Sequence, residues 1–322
     1  MGYEILSLGN PIVDIILQVP EEYLSSVSGK KGGQEAVDYE TFCKIIEGSQ
    51  ASPYMVPGGS ATNTIKCLAN FGQKCAFIGK TGNDDFASFF SQSLVDIGVV
   101  PLLLQSETPT GRSVCLVTPD GERSMRTFLG ACVEMKPGDL EAKHFSGVSL
   151  LHIEGYALYN IPLVLHAMEL AKKLGAKISL DLASFEIVEL FKDKLWEILH
   201  KYVDIVFANE LEAKALTGLD EESTCDRLAE ICDIVVILMG RDGCWVRRRE
   251  KKVHCQAYPV TPLDSTGAGD AFAGGFLHGY LEGRSLEASA HYGALLGAEV
   301  VQVLGAEIPQ KVWKDLKPVI VT

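Results

Sequence analysis

Short apolar runs alternate along this chain with longer stretches in which apolar residues recur at helical spacing. That rhythm is the signature of βα units, and it commits the chain to a mostly parallel sheet covered by helices. Residues 234–239 (IVVILM) are apolar throughout, as in a strand buried on both faces. Strands are expected at residues 3–8, 75–78, 177–182 and 204–208, and helices at 62–71, 85–97, 190–202, 210–217 and around 224–232. No internal repeat, low-complexity segment or linker divides the 322 residues, so they read as one α/β domain.

Two regions break the rhythm. Residues 13–19 form a strand followed by a polar, glycine-containing stretch. Residues 113–118 and 124–128 read as strands joined by Pro119-Asp120-Gly121-Glu122, a strong turn sequence. A small antiparallel sheet with strands from about 13–34 and 104–129 is therefore expected to project from the main body as a lid.

Charge narrows the function. Twenty-nine basic against 42 acidic residues give a net charge of −13, which argues against a nucleic-acid partner. No apolar run approaches the ~20 residues that cross a bilayer, and the N-terminus lacks the basic region of a signal peptide. Nine cysteines without CxxC or zinc spacing read as thiols in a reducing cytoplasm.

The chemistry concentrates in residues 264–276, DSTGAGDAFAGGF. This stretch follows a strand-like segment, residues 253–260, and opens a run with apolar residues at 272, 276, 277, 280 and 281. The N-terminus of a helix attracts anions, and Gly267, Ala268 and Gly269 would let a phosphate approach its amides. Asp270 then sits at the mouth of an anion hole. It could accept the proton of a hydroxyl attacking phosphorus, or merely favour the helix dipole as a first-turn acid. Competing motifs fail: Gly79-Lys80-Thr81 lacks the earlier Walker glycine, where Lys74 stands. Gly267-x-Gly269 meets Phe272 where a dinucleotide fingerprint needs glycine.

The same residues resemble the C-terminal signature of the PfkB (ribokinase-like) family of carbohydrate and nucleoside kinases. Residues 57–63 (PGGSATN) resemble its N-terminal signature, Asn209-Glu210-Leu211-Glu212 its NxxE motif, and residues 9–15 (GNPIVDI) its sugar-binding opening. The resemblance implies a three-layer α/β/α sandwich with a β-sheet lid, ATP and Mg²⁺ as cofactors, and Asp270 as the catalytic base. It implies an anion hole of Gly267, Ala268, Gly269 and Asp270, and an acceptor site of Asp14, Gly58, Gly59 and Asn63, with Glu154 facing the substrate. Asn209 and Glu212 would organise Mg²⁺ through water, and Asn209, Gly240, Gly243, Thr266, Gly267 and Gly269 would flank the nucleotide. Asp264 and Ser265 resemble positions that bind a monovalent cation in some members. Arg123, or alternatively Arg126, would be carried by the lid to the transferring phosphate. Members occur as monomers and homodimers.

Within the family, GNPIVDI, the polar insertion after it and residues 122–131 (ERSMRTFLGA) are most similar to adenosine kinases and bacterial adenosine-kinase-like sugar kinases. That implies transfer to the 5′-hydroxyl of adenosine, with Phe128, Leu129, Tyr156 and Tyr159 as lining for the base. Ribokinase, fructokinase and ketodeoxygluconate kinase share the apparatus, so a free sugar is the alternative acceptor.

Overall fold

The computed structural model describes residues 2–321. Among them, strands run in chain order as β1 (Ile5–Leu8), β2 (Ile12–Gln18), β3 (Gln34–Ala36), β4 (Tyr54–Gly58) and β5 (Cys75–Thr81). There follow β6 (Val100–Gln105), β7 (Gly111–Val117), β8 (Arg123–Phe128), β9 (Leu150–Glu154) and β10 (Lys177–Asp181). The last four are β11 (Ile205–Asn209), β12 (Ile234–Leu238), β13 (Cys244–Arg248) and β14 (Lys251–Cys255).

Nine strands form one sheet, ordered β14-β13-β12-β11-β10-β9-β1-β5-β6. From β12 to β6 every pair is parallel, and only the β12–β13 and β13–β14 pairs are antiparallel. Both faces are buried, so alternate residues of one strand serve different cores. Val235 and Ile237 pack with the helices Ile161–Lys173 and Phe185–Tyr202, whereas Ile234 and Val236 pack with Ser60–Asn70 and Ala268–Leu281. The result is three layers, helices on both sides of the sheet.

Most helices start with a side-chain cap. Asp38, Asp84, Asn160, Ser184, Asp220 and Ser285 each accept an N–H from the first turn. The helix expected at 190–202 begins earlier, at Phe185, and non-helical φ/ψ at Phe191 marks the break between its two parts.

The second sheet has five strands, ordered β3-β8-β7-β2-β4. Its pairing is mixed, not purely antiparallel: β2 with β7 and β3 with β8 run parallel. Strand β4 and the helix Tyr39–Ser49 were not anticipated, and residue 104 lies in β6, near the edge of the large sheet. One face of the small sheet (Ile15, Leu17, Val114, Leu116) packs on Phe42 and Ile45 of that helix. The other carries Asp14, Ser113 and Thr127 in register toward the large sheet.

Candidate active site

A cavity of about 790 Å³ lies between the small sheet and the carboxyl ends of the parallel strands. Strand order reverses between β1 and β9, and such switch points open a crevice beyond the strand ends. Glu154, Asp181 and Asn209 end three successive strands, and all three line the cavity.

The Ala268–Leu281 helix starts without a side-chain cap. Gly267 precedes it in a left-handed conformation (φ 74°), and a Cβ there would meet Ala306 at 2.5 Å, so only glycine fits. The preceding strand ends at Cys255, earlier than expected, and an irregular stretch leads to the turn. Ser265 to Asp270 all line the cavity.

Asp270 sits in the first turn of this helix, and two side chains from the facing helix hold its carboxylate. Ser60 Oγ donates to Oδ1 at 2.7 Å and Asn63 Nδ2 to Oδ2 at 2.9 Å. Burial raises the Asp270 pKa, and these two hydrogen bonds oppose the rise. The carboxylate is thus oriented, solvated by the protein and set above the ordinary carboxylate range.

Asp14 lies across the cavity on β2. Burial lifts its pKa to about 7, with Arg123 and Lys66 pulling it down. Gly58 pairs against this strand, and a Cβ on it would meet Asp14 Oδ2 at 2.2 Å. Gly59 caps the Ser60–Asn70 helix and lines the cavity beside Asn63. Glu154 is also raised to about 7 by burial, but its oxygens face backbone: Asn10 N–H donates at 2.8 Å and Ala61 N–H at 2.7 Å. It therefore joins the β1–β2 loop to the start of the Ser60–Asn70 helix.

Asn209 and Glu212 form a reciprocal cap. Glu212 N–H donates to Asn209 Oδ1 at 2.9 Å, while the Glu212 carboxylate accepts from the Asn209 amide nitrogens at 2.9 and 2.7 Å. Glu212 is buried, and desolvation lifts it to about 7, with Asp270 adding repulsion. Asp181, which the sequence reading passed over, lies in the same cavity; burial raises it well above its ordinary value, and Glu212 and Asp270 add to the rise. These hard oxygens suit Mg²⁺. Among the described residues no three acidic, His or Cys groups are gathered closely enough to hold a metal ion. Gly240 and Gly243 line the far wall.

Both arginines of the small sheet are engaged by protein groups. Arg126 is fully buried and donates to the carbonyls of Ser28, Lys30, Gly33 and Met125, which fixes the loop before β3. Arg123 does not line the cavity; its guanidinium pairs with Asp264 Oδ2 at 2.7 Å and also donates to Thr266 Oγ1. Asp264 further accepts Thr266 N–H at 3.0 Å and Gly305 N–H at 2.7 Å. The ion-pair and hydrogen-bond partners of this carboxylate are all N–H donors, and the Arg123 guanidinium neutralises its charge. Of the expected base-lining residues, Leu129, Tyr156 and Tyr159 reach the cavity, while Phe128 packs on Tyr39 and Phe42.

An oriented carboxylate at an uncapped helix start, with a second buried carboxylate lining the same cavity, suits phosphoryl transfer to a hydroxyl group. The model of the pfkB family carbohydrate kinase matches residues 39–313, and the chain belongs to that family. The chain is 29% identical over 340 residues to adenosine kinase of Saccharomyces cerevisiae, covering 97% of this chain and 98% of that one. Two crystal structures superpose over 99% of the chain at 31% identity. A probable sugar kinase from Rhizobium etli does so with a TM-score of 0.91 and 99% of its own length covered. Adenosine kinase from Sinorhizobium meliloti does so with a TM-score of 0.90 over its full length.

Proposed function

We propose that this kinase transfers the γ-phosphoryl group of ATP to the 5′-hydroxyl of adenosine, giving AMP and ADP. The observation that carries the reading is the Ser60–Asn63–Asp270 constellation at the start of the Ala268–Leu281 helix. Asp270 takes the proton of the attacking hydroxyl, and its raised pKa brings it nearer to neutral pH as a base. Amides at the helix start stabilise the negative charge that gathers on the transferring group. Asp14 and Asn63 accept and donate to the acceptor's other hydroxyls. Asn209, Glu212 and Asp181 would hold Mg²⁺ through water, and the ion would supply charge neutralisation at the phosphates. The small sheet acts as the lid that excludes water from the transfer.

Ile12, Met125, Leu129, Tyr156 and Tyr159 also line the cavity, apolar surface that suits a purine base. Similarity to adenosine kinases over nearly the whole chain supports the same reading. One observation favours the sugar alternative: Ser113 and Thr127, hydrogen-bonded at 2.8 Å, put hydroxyls beside Asp14, where the ribosyl group of adenosine has only its 2′- and 3′-hydroxyls to satisfy. All nine cysteines are free, which suits a reducing cytoplasm.

ADP release with adenosine, ribose, fructose and ketodeoxygluconate decides between them. Adenosine should turn over fastest; a faster free sugar transfers the proposal to that sugar, and no turnover with any acceptor refutes both.

A further inference from the structure

The Arg123–Asp264 pair has a position that its distance alone does not convey. The two side chains are 11% and 3% exposed, so their charges meet out of water. Arg123 comes from β8 of the small sheet, and Asp264 opens the turn that leads to Asp270. Through its remaining contacts Asp264 also fixes Thr266 in that turn and Gly305 in the segment after the Leu286–Val300 helix. The Ala306 side chain of that segment stands where a Cβ on Gly267 would be. One carboxylate therefore ties together the lid sheet, the anion-binding turn and the segment behind it.

A positive charge beside that turn has a use. It balances Asp264 and keeps the turn's geometry when a polyanion arrives in front of it. A bound monovalent cation could supply this charge, but the guanidinium already pairs with the carboxylate at 2.7 Å. Arg123 Nε is also buried without a hydrogen-bond partner, so the ion pair leaves the guanidinium with spare donor capacity.

We propose that Arg123 is a positioning residue that serves as a built-in cation, holding Asp264 and the 264–267 turn in place and making nucleotide binding and turnover independent of K⁺ and Na⁺. It also couples lid docking to the anion site, because the charge is delivered by the small sheet. This rests on the proposed kinase reading for its turnover arm only.

The test uses the full-length protein. Calorimetric binding of ADP·Mg²⁺, measured in choline chloride and then in KCl or NaCl, should change by less than about twofold at matched ionic strength. Turnover with the best acceptor of the panel should behave likewise. Arg123→Met should weaken ADP·Mg²⁺ and raise KM for ATP by about tenfold, more than it lowers kcat, and KCl or guanidinium chloride should restore part of the loss. Arg123→Lys, which keeps the charge, should lose less. A wild-type affinity that climbs about tenfold with K⁺ overturns the proposal, as does Arg123→Met with wild-type affinity. An Arg123→Met protein that is folded by circular dichroism but that no cation restores overturns the built-in-cation role. If Arg123→Met does not fold, the wild-type cation series decides alone. Failure of every acceptor in the panel would sink the kinase reading and leave the ADP measurement intact.

Discussion

The two sheets bring polar groups to the same cavity by opposite means. In the large sheet the central strands are buried on both faces, and the cavity's polar side chains stand where those strands end: Glu154, Asp181 and Asn209 each close a strand. In the small sheet function sits mid-strand, on the one face that no helix covers, with Asp14, Ser113 and Thr127 side by side. A strand buried on both faces cannot carry an unpaired carboxylate in its middle, because desolvation would cost several kcal/mol. A strand with one face on a cavity can. The large sheet and its helices thus supply a fixed catalytic frame, and the small sheet supplies a surface that reads the acceptor.

The largest test of that division is at Asp270. Asp270→Asn keeps the side chain's shape and should lower kcat by about 10³–10⁴-fold, the range for losing a general base, with ATP affinity nearly unchanged. Retention of wild-type kcat would remove the catalytic frame from the argument.

Asp14→Asn should fall on the other side of the division. The KM for the acceptor should rise about 10–100-fold, as for losing a hydrogen bond to a charged group, while the KM for ATP stays put. Its stability should move the other way. Burial raises Asp14 from 3.8 to about 7, so the folded chain holds this proton more tightly than the unfolded one. Stability therefore falls as pH climbs through that window, and the whole cost is present above about pH 7. Asparagine removes the cost: the ligand-free variant should melt higher than wild type above that pH, and the gain should shrink toward acid. A variant that is less stable at alkaline pH would show that Asp14 is a structural group.

What the sequence disclosed follows the same division. Apolar runs announced the large sheet because both of its faces are buried, and small-residue motifs announced the anion turn because close approach needs glycine there. Asp181 was within reach, as an acid at the end of an expected strand, but no motif includes it. The small sheet was harder to read. β4 (YMVPG) contains a proline, tolerated because the strand lies at the sheet's edge, and its alternation is too short to register. The helix Tyr39–Ser49 had its signal in the Asp38 cap and the apolar spacing of Phe42 and Ile45. The pairing of Arg123 with Asp264 had none, since the two are far apart in the chain and neither neighbourhood implies the other.

Ser60 tests how finely the frame is tuned. It lies inside the PGGSATN motif, yet only the flanking glycines and Asn63 had been assigned roles. Its hydroxyl and the Asn63 amide each stabilise the charged form of Asp270, and both pull down a pKa that burial pushes up. Removing one donor should let that pKa rise further, so the acidic limb of the kcat profile of Ser60→Ala should move to higher pH. At neutral pH the loss should be about tenfold, in line with one hydrogen bond to a charged group, and it should narrow at alkaline pH where Asp270 is ionised in both proteins. Equal losses at every pH would mean that Ser60 acts on the acceptor or on the helix, and that Asn63 alone orients the base.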